Sequence, residues 1–201
     1  MHSGIQNIHV FPHSAQRSHG ERHRAVKPLT PTQPTSVAAS VEVDLAADTD
    51  PQVWELVKAG EVLIGLAERH SRTKDNGLAE VCYLRALDVF SKALPSHHPK
   101  TATTRDSLAM LYRHRGQLSV AESLQRTAVA DLRKFFRGQP NPLLARALRN
   151  MAETCLLGGK VQEGLKILAE ALQVSRELSS DHSEHVVEIH HYHAQVMARL
   201  G

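Results

Sequence analysis

Cysteine is scarce in this chain of 201 residues: only Cys82 and Cys155 occur, and both fall inside helical patterns. Two such thiols make no disulfide framework and suit a reducing compartment. Aromatic residues make up 4% of the sequence, so a core has to be assembled from Leu, Val and Ala. No apolar run approaches the roughly 20 residues needed to span a bilayer, which argues against a membrane partner and for a soluble protein. No glycine-rich phosphate loop opens a helix, and no nucleophile elbow is present. The Gly-Gly-Lys within "LLGGKVQ" at 156–162 lacks a following Ser or Thr and reads as a turn. These absences predict a chain that is not an enzyme and carries no cofactor.

What is abundant favours helices, because Ala and Leu lose little freedom in them. Hydrophobic residues reach 41%, enough to fill a core of ordinary domain size. Breaks rich in Gly, Pro, Asn, Asp and Ser fall at 74–77, 94–99, 113–117, 136–142, 158–160 and 179–183. Each of these residues favours a turn for its own reason. Between them lie helices over roughly 51–73, 77–93, 100–114, 118–136, 143–157, 161–178 and 184–200. Nothing reads convincingly as a strand, so the fold is expected to be all-α.

Charge has to be located before it is interpreted. The net charge of +3 belongs to residues 1–40, and residues 41–201 hold 20 basic and 20 acidic side chains. A nucleic-acid partner is therefore not expected. Residues 1–48 contain Pro12, Pro28, Pro31 and Pro34, together with five histidines by position 23. Such a segment buries too little surface to offset its ordering entropy and is expected to be a disordered His/Pro/Ser-rich tail. Its basic, acid-poor composition also matches a transit peptide. The expected localisation is cytoplasmic, or organellar if residues 1–40 are such a peptide.

The most informative pattern is a repeat of small residues. Ala67, Ala79 and Ala86 are separated by twelve and seven; so are Ala109, Ala121 and Ala128, and so are Ala152, Gly164 and Ala171. The shift between sets is 42 or 43 residues. A fixed period of this length marks stacked helix pairs. Twelve residues lead from one helix through a turn to the facing side of the next, and seven more complete two turns on that face. A small side chain at each crossing lets the helices approach closely.

With Leu63, Leu66 and Tyr83, then Leu108 and Tyr112, then Leu148, Met151 and Leu168 placed around these positions, the chain resembles the tetratricopeptide repeat family. His70 and Cys155 depart from the pattern where Tyr is usual, as do Arg105 and Gln125 where apolar residues are usual. The period near 42, the His98-Pro99 and Asn141-Pro142 steps and Asn150 are similar to the kinesin-light-chain subtype. No heptad-rich coiled coil precedes the repeats, so kinesin membership itself is not expected.

The resemblance covers about residues 59–201. It implies a right-handed superhelical array of antiparallel helix pairs, a tetratricopeptide-like α-solenoid. Three pairs and a terminal helix would make up a domain over 49–201, with repeats at about 59–99, 100–142 and 143–183 and the last helix at 184–200. It further implies a protein-interaction scaffold that binds a partner's peptide in a concave groove lined by the first helix of each pair. Residues 100–149 hold ten basic and three acidic side chains, which points to an acidic peptide met by Arg113, His114, Arg146, Arg149 and Asn150. Arg offers paired donors to a carboxylate, and Asn can hold a peptide backbone. Glu61 and Glu68 stand where a clamp for chaperone tails would need basic or amide groups. The competing expectation is a structural or regulatory fragment of a larger enzyme or signalling protein. Oligomeric state is left open.

Histidine is in excess, with 14 residues, of which His182, His185, His190, His191 and His193 cluster near the C-terminus. Their directions on a helix diverge, whereas metal ligands must converge. No metal site is expected there.

Overall fold

The computed structural model describes residues 50–178 and 184–200. Seven helices run through them: α1 (Pro51–Arg72), α2 (Asn76–Ala93), α3 (Pro99–His114), α4 (Leu118–Phe135), α5 (Pro142–Leu157), α6 (Val161–Glu177) and α7 (Glu184–Leu200). There is no strand among the described residues. The segment read as a disordered tail, 1–48, and its transit-peptide reading lie outside the described residues. So do His182 and the side chain of His185.

The inner helices begin in one way. Asp50, His98 and Asn141 each precede a proline at the first helical position, where no donor is needed. Each caps with its side chain, accepting the amide of Gln52 at 2.9 Å, Lys100 at 3.1 Å and Leu143 at 2.8 Å. They also end alike. The amides of Asp75, Gln117 and Lys160 reach back to the carbonyls of His70, Tyr112 and Cys155, each at 2.9 Å, as helix ends closed by a left-handed residue do. That residue is Gly116 and Gly159 in the later repeats, both at φ 76°, but Lys74 in the first, at φ 62°.

The helices pair as α1 with α2, α3 with α4 and α5 with α6. The pairs join through α2 on α3 and α4 on α5, and α7 rests on α5 and α6. The small residues sit at the crossings: Ala67, Ala79, Ala86, Ala109, Ala121, Ala128, Ala152 and Ala171 are all 0% exposed. The third pair is held close. A Cβ on Gly164 would stand 2.7 Å from Leu156 Cγ and 3.1 Å from the Ala152 carbonyl. At the other end of the array, a Cβ on the buried Gly60 would stand 2.3 Å from the Phe90 ring.

The array also has a stacking face. At one register of the inner helices lie Thr101, Thr104, Leu108 and Leu111 of α3, and Leu144, Ala147, Met151 and Thr154 of α5. All eight are buried. The same register in α7 holds Ile189 and Val196, also buried. In α1 it falls on Ala59, Val62, Leu66 and Arg69, of which only Leu66 is even half-buried.

Two predictions follow from the repeated ends. Lys74→Gly should raise stability by about 0.5–1 kcal/mol in urea unfolding, because it relieves a left-handed Lys that the later repeats replace by Gly. His98, buried against Phe135 with ring centroids 5.6 Å apart, is pushed down from 6.5 to about 4 by burial and then by the Lys100 charge. The unfolded chain takes up that proton below 6.5 while the fold refuses it until about 4. Stability is therefore lost as pH falls through this window, by about 3 kcal/mol in full. His98→Asn keeps a cap acceptor, as Asn141 does in α5. It should flatten the difference in urea midpoint between about pH 7 and about pH 4.5.

Candidate functional site

The sequence-derived groove residues lie on inner helices, but they do different work. Asn150 is buried, and its Nδ2 donates to Asp106 Oδ2 at 2.7 Å. Arg113 is buried too; it pairs with Glu153 at 2.9 Å and donates to the Asn150 carbonyl at 3.3 Å. Both side chains are spent joining α3 to α5. Arg149 is half-buried, lies 3.9 Å from Glu153 and stacks its guanidinium 5.9 Å from the Tyr192 ring of α7. Arg146 is half-buried beside Asp106, and His114 is exposed at the end of α3.

Asp106 is the residue that sequence reasoning missed. Burial pushes its carboxyl up, opposed by the Arg146 charge, by the Asn150 hydrogen bond and by Gln125 and Arg113. The signal in the sequence was the lone acid of a helix whose other side chains are basic, hydroxyl-bearing or apolar. Its partner, 44 residues away, was invisible without the repeat register.

The basic middle repeat is largely neutralised by its neighbours. Lys100 pairs with Glu61, Arg115 with Glu80, Arg126 with Glu163 and Arg133 with Glu170. Each of these acids belongs to an adjacent helix pair. Arg105, at a place where an apolar residue was expected, pairs with Asp131. The charge excess of 100–149 is thus mainly inter-repeat pairing and not an open basic patch.

A carboxylate recurs directly after the small residue near the start of the first two outer helices. Glu80 follows Ala79 and accepts from Tyr112 at 2.6 Å and from Arg115. These bonds, led by that of Tyr112, hold its carboxyl below the usual range. Glu122 follows Ala121 and accepts from Lys160 at 2.8 Å and from Arg126 at 2.7 Å, and it too is held low. Cys155 occupies the place of Tyr112 one repeat on. This explains why Glu122, Cys155 and Glu163 bring ligand-type atoms within 4.8 Å of one another. The carboxylates are already engaged by Lys160 and Arg126, and burial pushes the Cys155 thiol up. Among the described residues no histidine group converges in this way; His190 and His191 are exposed, and His191 meets Gln195 at 2.8 Å. No helix among them is long and apolar enough to cross a membrane, and both cysteines are free thiols.

With this geometry in place, comparison with known proteins is direct. Residues 59–134 match the tetratricopeptide repeat family. No curated protein sequence is a significant match. Among solved structures the chain is similar to BtubC (BKLC) of P. vanneervenii, with 19% identity and a TM-score of 0.57 over 62% of this chain and 50% of that one. It is also similar to the kinesin light chain nearly identical TPR-like repeats of Podosopora anserina, with 21% identity and a TM-score of 0.57 over 71% of this chain and 70% of that one. A variant of the latter gives 22% and 0.56 over 65% and 59%. The chain therefore spans about half the length of BtubC and three-fifths of that variant. Residues 59–134 thus match tetratricopeptide repeats, the helical array has a fold similar to the kinesin-light-chain TPR-like repeats, and tetratricopeptide repeats generally mediate contacts between proteins.

The buried pair and the surface pairs should separate in stability. Arg113→Ala leaves Glu153 short of its partner in a mostly dry place and should cost about 3 kcal/mol. Arg133→Ala removes a pair whose side chains are 46% and 41% exposed and should cost less than about 1 kcal/mol. Urea unfolding of the two variants gives the comparison.

Proposed function

We propose, with a tetratricopeptide repeat array as the premise, that this chain is a protein-interaction scaffold. Its inner-helix face takes an extended, acidic peptide segment of a partner protein. The observation that carries this reading is that arginine charge on inner helix α5, at the start of the third repeat, is less tightly paired than the arginines of outer helix α4. Arg126 and Arg133 on outer helix α4 are bonded to acids of the next pair, whereas Arg149 on inner helix α5 keeps only a 3.9 Å contact with Glu153. Arg146 adjoins it one turn earlier on the same helix.

Arg146 and Arg149 are the residues that meet the peptide's carboxylates through planar paired donors. His114 extends the same side at the end of α3. Arg113 and Asn150 take a supporting part: their bonds to Glu153 and Asp106 fix α5 against α3, so that the two arginines are presented on a rigid helix. The domain proposed for this work is the span 49–201, three helix pairs closed by α7.

A peptide array of acidic and neutral sequences tests the reading, with Arg146→Glu/Arg149→Glu compared against Arg133→Glu. The inner-face double variant should lose about tenfold or more in affinity for acidic peptides, while the outer variant stays near the unmodified chain. Equal binding by both variants removes the groove assignment. Circular dichroism of each variant establishes that the helices are intact.

A further inference from the structure

The stacking face left open on α1 has an unusual chemistry. Along it run Glu55, Ala59, Val62, Leu66 and Arg69, spaced four, three, four and three, so all five lie on one stripe of the helix. Val62 is 64% exposed, Leu66 is half-buried, and the other three are exposed. At the matching places of α3 and α5 the side chains are buried, and those helices pack chiefly on the outer helix of the pair before them, α2 and α4; here no described element covers them. Trp54, the only tryptophan, sits at the edge of the stripe, 43% exposed, with Lys58 4.8 Å above its ring.

The chemistry of the stripe indicates what covers it. Where α1 has Arg69, the stacking register in α3 and α5 has Leu111 and Thr154, neither charged. Another repeat stacked here in the ordinary way would bury Arg69 at a place where the later inner helices have uncharged side chains, which is costly unless that repeat brings an acid to it. The stripe is instead complementary to itself. It has an acid at one end, a base at the other, and small or apolar side chains between. A two-fold axis through Val62 sets Glu55 of one copy opposite Arg69 of the other, with Ala59 beside Leu66. Gly65, near the stripe, and Ala59 permit close helix approach.

We infer that the occupant is a second copy of this chain, and that two α1 helices pack antiparallel about Val62 to form a homodimer. The contact is isologous, so it closes on itself and does not propagate into filaments.

The experiment is sedimentation equilibrium and light scattering on the full chain over a range of concentrations, with Trp54 fluorescence followed on dilution. The expected result is a concentration-dependent mass reaching twice that of the chain. Val62→Glu and Glu55→Arg should each weaken association by about tenfold or more. The swap Glu55→Arg/Arg69→Glu should restore it to within about threefold. These side chains are largely exposed, so circular dichroism should be unchanged. A monomer at every concentration overturns the proposal. So does a dimer indifferent to Val62→Glu, and so does a failure of the swap to recover what Glu55→Arg lost.

Discussion

The rest of this structure depends on how closely an inner helix approaches the outer helix that follows it. The approach is set by residues with almost no side chain, and its tightness is measurable: at Gly164 even a methyl group would press on Leu156 and on the Ala152 carbonyl. Because each pair is flattened in this way, its inner helix can offer one continuous face to the pair before it. Thr101, Thr104, Leu108 and Leu111, and Leu144, Ala147, Met151 and Thr154, are buried as a result. Stability in such an array is a sum of pairs and of the contacts between neighbours. The first pair lacks a described neighbour on one side, and α1 shows it in the exposure of Val62.

Charge plays a second part, of a different kind. The salt bridges and bonds that cross between pairs join residues 32 to 44 positions apart, about one repeat. Most of them involve half-exposed groups, so each contributes little to stability in water. Their use is to select: a pair stacked one turn out of register would place Arg126 and Arg133 away from Glu163 and Glu170. The neutrality of residues 41–201 is therefore built into the interfaces and is not an average over unrelated patches. It also explains why a middle repeat rich in Arg is flanked by acidic ones.

Much of the fold was legible in the chain because its signals are local. Prolines after Asp50, His98 and Asn141 mark the helix starts, glycines at 116 and 159 mark the turns, and the alanine spacing gives the period. The site was less legible for the opposite reason. Nothing near Asn150 indicates that its amide meets Asp106 in the previous repeat, or that Arg113 reaches forward to Glu153. Composition showed an excess of base between 100 and 149, and only the stacking shows that the acids of neighbouring pairs absorb most of it. His98 was legible as part of a His-Pro step, but its burial against Phe135 depends on how α4 ends.

These two kinds of contact meet on the inner face, and there they divide the polar residues. A repeat array can vary what it recognises without altering how it stacks only where the two tasks use different atoms. Asp106, Arg113 and Asn150 are committed to the junction of α3 and α5, so a change at any of them alters stacking first and recognition through it. Arg146 lies at the boundary, since its charge also eases the buried Asp106 carboxylate. Arg149 and His114 are the freer positions, with one long ion contact and a ring contact for the former and an exposed side chain for the latter. Under the proposed function, specificity on this face has few residues in which to reside. Because Arg149 leans on Tyr192, a peptide bound as proposed that draws its guanidinium away from the ring would also loosen one of the contacts by which α7 rests on α5.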